Sequence, residues 1–291
     1  MRYEGNIFRP PSEANSLLIQ ATIGCPHNKC TFCAMYKGEK FRMRDVEEIK
    51  EDIAAAWNYY GSGMVRSLFM PDANSIILKT EKLSEICRYA RQVFSRLDRI
   101  TVYGGAKFVI RKSLEELIQL KEAGLSRIHM GMESGDDVIL ERVKKGVTSE
   151  QIIEAGKRVM GSGIELSEYY MVGLGGVERS EQHALESARV LNAINPTFIR
   201  IRTTVPIPGS ELHNEFQEKR WELPSPHQAL REVRLLVVNL DCASEILSDH
   251  NSNFWDISGK LPRDKPQMLK ELDRALEVDE SRFRPYWSVS L

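Results

Sequence analysis

Cys25, Cys30 and Cys33 lie in the run Gly24-Cys25-Pro26-His27-Asn28-Lys29-Cys30-Thr31-Phe32-Cys33-Ala34-Met35-Tyr36. Their C-x4-C-x2-C spacing makes a compact loop in which three sulfurs can converge while the intervening N–H groups point at what they hold. A [4Fe–4S] cluster carries four irons, each normally held by one thiolate. Three thiolates leave one iron open, and an open iron binds a small molecule where a fully ligated cluster only passes electrons. The count therefore points to chemistry at an iron–sulfur cluster. Zinc is the competing reading, because C-x2-C recurs in structural zinc sites, but zinc takes a fourth ligand and usually a second close pair. The other cysteines, Cys87 and Cys242, are lone and distant, and read as small buried hydrophobes. His27 could complete a zinc set, although a polar loop histidine is more often solvated.

A loop of this kind needs a frame to hold it. The chain alternates short apolar runs with amphipathic stretches, the pattern of repeated β-α units on a parallel sheet. Strands are expected at 16–22, 65–70, 99–103, 127–132, 165–172 and 197–203, with helices between them at 46–59, 82–96, 113–123, 136–143, 149–160 and 180–192. Asp or Ser caps open several of these helices, and Gly124, Gly161 and Gly163 stand where helices should stop. Six such units make an α/β fold, a partial (β/α)6 barrel whose working rim lies at the C-terminal ends of the strands. The cysteine loop follows the first strand, Pro71-Asp72-Ala73-Asn74 the second, Gly104-Gly105-Ala106-Lys107 the third, Glu133-Ser134-Gly135 the fourth and Gly173-Leu174-Gly175-Gly176 the fifth. Any one of these exits is ordinary turn chemistry; together with the cysteines on one rim they make a site. Residues 1–15 are expected as an N-terminal extension, 16–210 as the barrel and 211–291 as a helical and loop extension capping it.

Composition bounds the partners. The chain has 291 residues, enough to bury a large core without disulfides, and its cysteine usage fits a reducing cytoplasm. Forty basic against forty-one acidic residues give a formal charge of -1, which supplies no broad field for nucleic acid. No apolar run follows the N-terminus, so neither a signal peptide nor a membrane span is expected. Oligomeric state leaves no readable signal.

The cysteine run resembles that of the radical S-adenosylmethionine (SAM) superfamily, which uses C-x3-C-x2-C with an aromatic residue before the last cysteine; Phe32 takes that position, and the first gap is one residue longer. Gly131-Met132-Glu133-Ser134-Gly135, followed by Lys144-Lys145-Gly146, resembles the G-x-E-S-G segment and trailing K-G of the subgroup of oxygen-independent coproporphyrinogen oxidases, methylthiotransferases and Elongator proteins. Pro206-Ile207-Pro208-Gly209-Ser210-Glu211-Leu212 is similar to that subgroup's P-G-[ST]-x-L exit. The resemblance covers residues 16–210 and implies a radical SAM barrel with a [4Fe–4S] cluster on Cys25, Cys30 and Cys33, and SAM as the second cofactor. It implies SAM contacts at Glu133, whose carboxylate suits a ribose diol, and at Ser134, with helix capping by Ser134 or Asp136 as the plainer role. It places Asp72, or main-chain carbonyls beside it, at the SAM ammonium, and the backbone of Gly173 and Gly175 at the adenine. Arg200 and Arg202 share one face of a strand by period-two spacing. Facing the barrel interior they would need an anion such as a SAM or substrate carboxylate; facing helices they would be ordinary salt-bridge donors.

The reaction implied is reductive cleavage of SAM to a 5′-deoxyadenosyl radical that abstracts hydrogen from a small-molecule substrate, with a one-electron donor such as flavodoxin or ferredoxin. Lyase, mutase, decarboxylase and oxidoreductase outcomes under anaerobic conditions remain open, while the lack of a second cysteine cluster speaks against methylthio transfer. The rival classes are a tRNA-modifying enzyme, an electron carrier and a zinc-stabilised binding module. After the expected helix at 227–239 comes Ser248-Asp249-His250-Asn251-Ser252-Asn253, read either as a solvated loop or as a substrate wall with Asp249, His250 and Asn253 as catalytic candidates.

Overall fold

The computed structural model describes residues 1–61 and 63–288. In chain order its strands are β1 (Leu17–Leu18), β2 (Thr22–Ile23), β3 (Arg42–Met43), β4 (Ser67–Met70), β5 (Arg99–Tyr103), β6 (Arg127–Glu133), β7 (Glu165–Val172), β8 (Phe198–Thr203), β9 (Glu245–Leu247) and β10 (Gly259–Lys260). The helices are α1 (Val46–Tyr60), α2 (Thr80–Val93), α3 (Ala106–Val109), α4 (Leu114–Glu122), α5 (Asp137–Arg142), α6 (Ser149–Gly161), α7 (Ser180–Ile194), α8 (Glu211–Gln217), α9 (Pro226–Asn239) and α10 (Lys265–Leu276). The expected α/β class with a mostly parallel sheet is what the chain adopts. Its contacts divide it into two units.

The first unit holds Met1–Asn28, Met35–Met130 and Arg158–Leu166. Its strands run β1-β4-β5-β6, all parallel. Leu68, Phe69, Met70, Ile100, Val102 and Ile128 are fully buried, because parallel strands with both faces covered read as continuous apolar runs. Helix α2 packs against both α1 and α4. Ser113 opens α4 with a capping box, its hydroxyl accepting from the Glu116 N–H while the Glu116 carboxylate accepts from the Ser113 N–H. The expected strand at 16–22 is broken. After β1 the chain turns at Gln20, whose amide donates to Glu4 O and to the Asp72 carboxylate, and β2 then pairs antiparallel with β3. The N-terminal residues are anchored by the buried Glu13. Its carboxylate accepts from Ser16 Oγ at 2.6 Å and meets Arg99 at 3.0 Å and His129 at 3.2 Å. Burial presses its pKa up, but these partners outweigh it and hold the group down at about 2.

The second unit holds Lys29–Ala34, Gly131–Lys157 and Ser167–Leu291. Here β7 and β8 pair in parallel, β9 joins β8 in parallel, and β10 closes the order antiparallel to β9. Helix α9 packs on α7 and α10. The region after 210 therefore contributes strands as well as helices and loops. Glu245-Ile246-Leu247 escaped the periodicity reading because three residues, of which only Ile246 is buried, carry no alternation to detect.

Candidate functional site

Cys25, Cys30 and Cys33 are half-buried thiols, whereas Cys87 and Cys242 are buried ones. Burial pushes the Cys87 thiol up to about 12, so it is inert as a ligand. In the first unit, Gly24 takes a left-handed backbone (φ +73°) that turns the chain into the loop. The Asn28 N–H donates to Cys25 Sγ at 3.3 Å. Asn74 Nδ2 approaches the same sulfur at 4.0 Å while its Oδ1 accepts from the Gly105 N–H at 2.6 Å. His27 meets Lys107 through Nδ1 at 3.3 Å.

In the second unit, the Thr31 N–H donates to Val143 O and Thr31 O accepts from the Leu212 N–H. These bonds pin the Cys30–Cys33 stretch at its middle. Phe32 packs on the apolar cluster of Ile139, Val143, Leu174, Leu212 and Trp221, which accounts for an aromatic before the last cysteine. Lys145 Nζ lies 5.8 Å over the Phe32 ring and 3.0 Å from Glu133 Oε1. Burial works against its charge, yet Glu133, Cys30 and Cys33 together raise its pKa. Among the described residues no three His, Cys, Asp or Glu side chains surround one point as a single ion requires; a four-iron cluster instead takes each sulfur on its own iron. Three half-exposed thiols, with an N–H donating to one and an ammonium beside two, fit that group by donor chemistry.

Glu133 ends β6 with φ +65°, a conformation that costs a side-chain-bearing residue energy and tends to mark functional positions. His183 Nε2 holds its carbonyl at 3.2 Å. A Cβ on Gly131 would run into the Glu133 carboxylate, so the glycine two residues upstream exists to let this pair fold back. Ser134 is fully buried, its hydroxyl accepting from the Asp136 N–H at 3.0 Å; Asp136 in turn caps α5 by accepting from the Val138 N–H. Both side chains thus shape the turn, and the helix cap is Asp136. Glu168 on β7 is buried with both oxygens lacking a side-chain partner. Burial, and next the Glu133 charge, push its pKa well above the usual carboxylate range.

Asp72 also departs from its expected role at the SAM ammonium. Its carboxylate is 1% exposed, accepts from Gln20 at 2.7 Å and from Tyr36, and is pushed up to about 6 by burial and Glu39. The side chain braces the loop from within, where Ser75 Oγ also donates to Pro71 O at 3.0 Å. Gly173 has φ +77° and donates its N–H to Glu232 Oε1 at 2.7 Å. A Cβ on Gly175 would stand 2.7 Å from Ile139 Cδ1, so that glycine serves close packing.

Register settles which face Arg200 and Arg202 occupy. They pair with Tyr169 and Met171 across β7 and β8, and paired residues share a face. Met171 packs on the cluster that also carries Phe32, so the arginines stand on the cysteine-loop face. The opposite face bears Tyr170, which donates to Glu232 of α9 at 2.8 Å and stacks on His183 of α7. Arg200 is 7% exposed; among the described residues its one ion-pairing carboxylate is Asp249 at 3.6 Å, and its Nε has no partner there. Burial, Arg202 and Arg200 drive the His250 pKa down to about 4, leaving it neutral. Asn253 is committed: its amide donates to Ile201 O and Ser248 O, and its Oδ1 accepts from Thr203 Oγ1. It tethers the loop to β8, which removes it from the proton-transfer role considered for it. Lys145, Asn74 and Glu232 are the site residues that motif reading passed over. Lys145 alone had a signal, in the trailing K-G.

Comparison with known proteins follows this geometry. The model of the radical SAM superfamily matches residues 19–188. A putative methylthiotransferase of Methanocaldococcus jannaschii is 27% identical over 205 residues, 68% of this chain and 43% of that protein. The chain spans about half the length of the curated relatives it matches. Coproporphyrinogen III oxidase (HemN) from Escherichia coli superposes with a TM-score of 0.60 at 17% identity, covering 77% of this chain and 51% of its own. Elp3 of Methanocaldococcus infernus gives 0.52 at 14% identity, with 79% and 59% covered. The expected subgroups are thus the ones found, and the fold is the one these enzymes share. With the family's model covering more than half of its sequence, the chain belongs to the radical SAM superfamily, whose enzymes use a [4Fe–4S] cluster and SAM.

Proposed function

We propose that the protein is a radical SAM enzyme acting on a small-molecule substrate by hydrogen abstraction, served in the cytoplasm by a one-electron donor of the flavodoxin or ferredoxin class. When bound, the cluster and SAM supply one-electron cleavage of a C–S bond and a 5′-deoxyadenosyl radical. Cys25, Cys30 and Cys33 hold three irons, and the Asn28 N–H steadies the first thiolate. Lys145 offsets the charge of the other two and presents a cation to a carboxylate. Glu133, held in its left-handed conformation by His183, takes the ribose hydroxyls, while main-chain carbonyls of 70–74 receive the ammonium.

The observation that carries this reading is Lys145, a partly buried ammonium answering Glu133 on one side and Cys30 and Cys33 on the other. Iron and sulfide content after anaerobic reconstitution tests it. Single Ala variants of Cys25, Cys30 and Cys33 should each lose most of the iron and the brown colour, while Cys87→Ala and Cys242→Ala keep both. Iron retained in any one of the first three would exclude that residue as a ligand.

A further inference from the structure

Two arginines stand on the cysteine-loop face of β8, and one carboxylate, Asp249, lies beside Arg200. Arg200 is buried, its Nε unpartnered and its link to Asp249 long at 3.6 Å. Arg202 has no carboxylate within ion-pairing distance among the described residues. The groups around them do not balance the charge. Tyr169 and Met171 flank them from β7, the loop brings neutral His250, and Asp249 is about half exposed. A buried guanidinium left under-compensated is costly, and the cost is recovered when an anion arrives. Lys145, not this pair, is the cation that answers Cys30 and Cys33, so a carboxylate of SAM bound at the cluster has its own partner.

We propose that Arg200 and Arg202, with His250 above them, form the binding site for an anionic group of the substrate, a carboxylate or a phosphate, for which Asp249 holds the place. Two planar forks on one strand face suit either group bidentately. The half-exposed Asp249 can swing away on its loop, and the neutral imidazole contributes a hydrogen bond without repelling the ligand. This inference rests on the enzyme reading above for the word substrate, but the site itself is a separate claim.

Calorimetric titration of the anaerobically reconstituted protein tests it, with glutarate, inorganic phosphate and neutral glutaramide as probes. Glutarate or phosphate should bind saturably and glutaramide should not; the tighter of the two names the group. Arg202→Gln should weaken the bound probe about tenfold, the loss expected for a charge-assisted contact. Asp249→Asn, a change at the surface that leaves the fold alone, should tighten it severalfold by removing the competitor. Binding of neither anion, affinity unchanged in both variants, or displacement of the probe by SAM would each overturn the site. The same preparations are assayed for 5′-deoxyadenosine with SAM and dithionite. Anion binding without that product would sink the enzyme reading and leave the site standing; product without arginine-dependent binding would do the reverse.

Discussion

Glu133 is the residue on which most of the site turns. Its carboxylate meets Lys145, its carbonyl is held by His183, and its backbone is left-handed. Gly131→Ala should therefore act at a distance of two residues, driving the carboxylate off Lys145 because the new Cβ occupies its place. We expect the KM for SAM in uncoupled cleavage to rise at least tenfold with iron content unchanged; an unchanged KM would remove the pair from SAM binding. Asp72 makes a pH prediction. Its folded pKa, about 6, lies above the ordinary 3.8, so its contribution is fully present below pH 3.8 and is lost as pH rises through 6. Asp72→Asn should stabilise the protein by about 2–3 kcal/mol at pH 8 and by little near pH 4. Thermal midpoints at the two pH values check it, and a gap that does not widen with pH would contradict the assignment. At this scale the motifs named Glu133 and the cysteines. The internal partners of Asp72 and Asn253 were not legible there, because Gln20, Tyr36, Ser248 and Thr203 lie apart from them in the motif reading and meet them only in the fold.

The elements carry the site through one buried carboxylate. Glu232 on α9 accepts from Tyr170 Oη on β7, the Gly173 N–H after it and Ser180 Oγ at the start of α7, and lies 3.1 Å from His183 Nδ1. Through His183 it reaches the Glu133 carbonyl. Replacing it by Gln removes the charge from a buried network with several donors, which should cost about 2–4 kcal/mol and raise the KM for SAM. Ser113→Ala is the contrast: loss of a capping box far from this network should cost about 1 kcal/mol and leave 5′-deoxyadenosine formation untouched. Equal effects of the two on the KM would show that Glu232 acts only through stability. Strands β5 and β7 were legible to the residue because their apolar runs are bounded by charged or glycine-rich turns. Nothing in the sequence marked Glu232, a lone acid on the inner side of an amphipathic helix.

At the scale of the molecule, the alternation of strands and helices told the fold class, since each of the expected strands has a counterpart. The part after 210 was the least readable. There β9 extends the sheet beside β8, and α9 covers α7, so a chain ending at 210 should expose a strand edge and an apolar helix face. We expect that truncation to be insoluble; a soluble, iron-loaded product would show that 211–291 is a separable cap. No helix among the described residues is long and apolar enough to cross a membrane, and the near-zero net charge agrees with a small-molecule substrate better than with tRNA. The central claim is an iron left open for SAM by three cysteines. Low-temperature electron paramagnetic resonance of the reconstituted, dithionite-reduced protein tests it most directly, recorded with and without SAM, with 5′-deoxyadenosine measured in the same samples. The account predicts a cluster signal shifted by SAM and a product that disappears in Cys30→Ala. A signal indifferent to SAM, with no product, would contradict it and leave electron transfer as the role of the cluster.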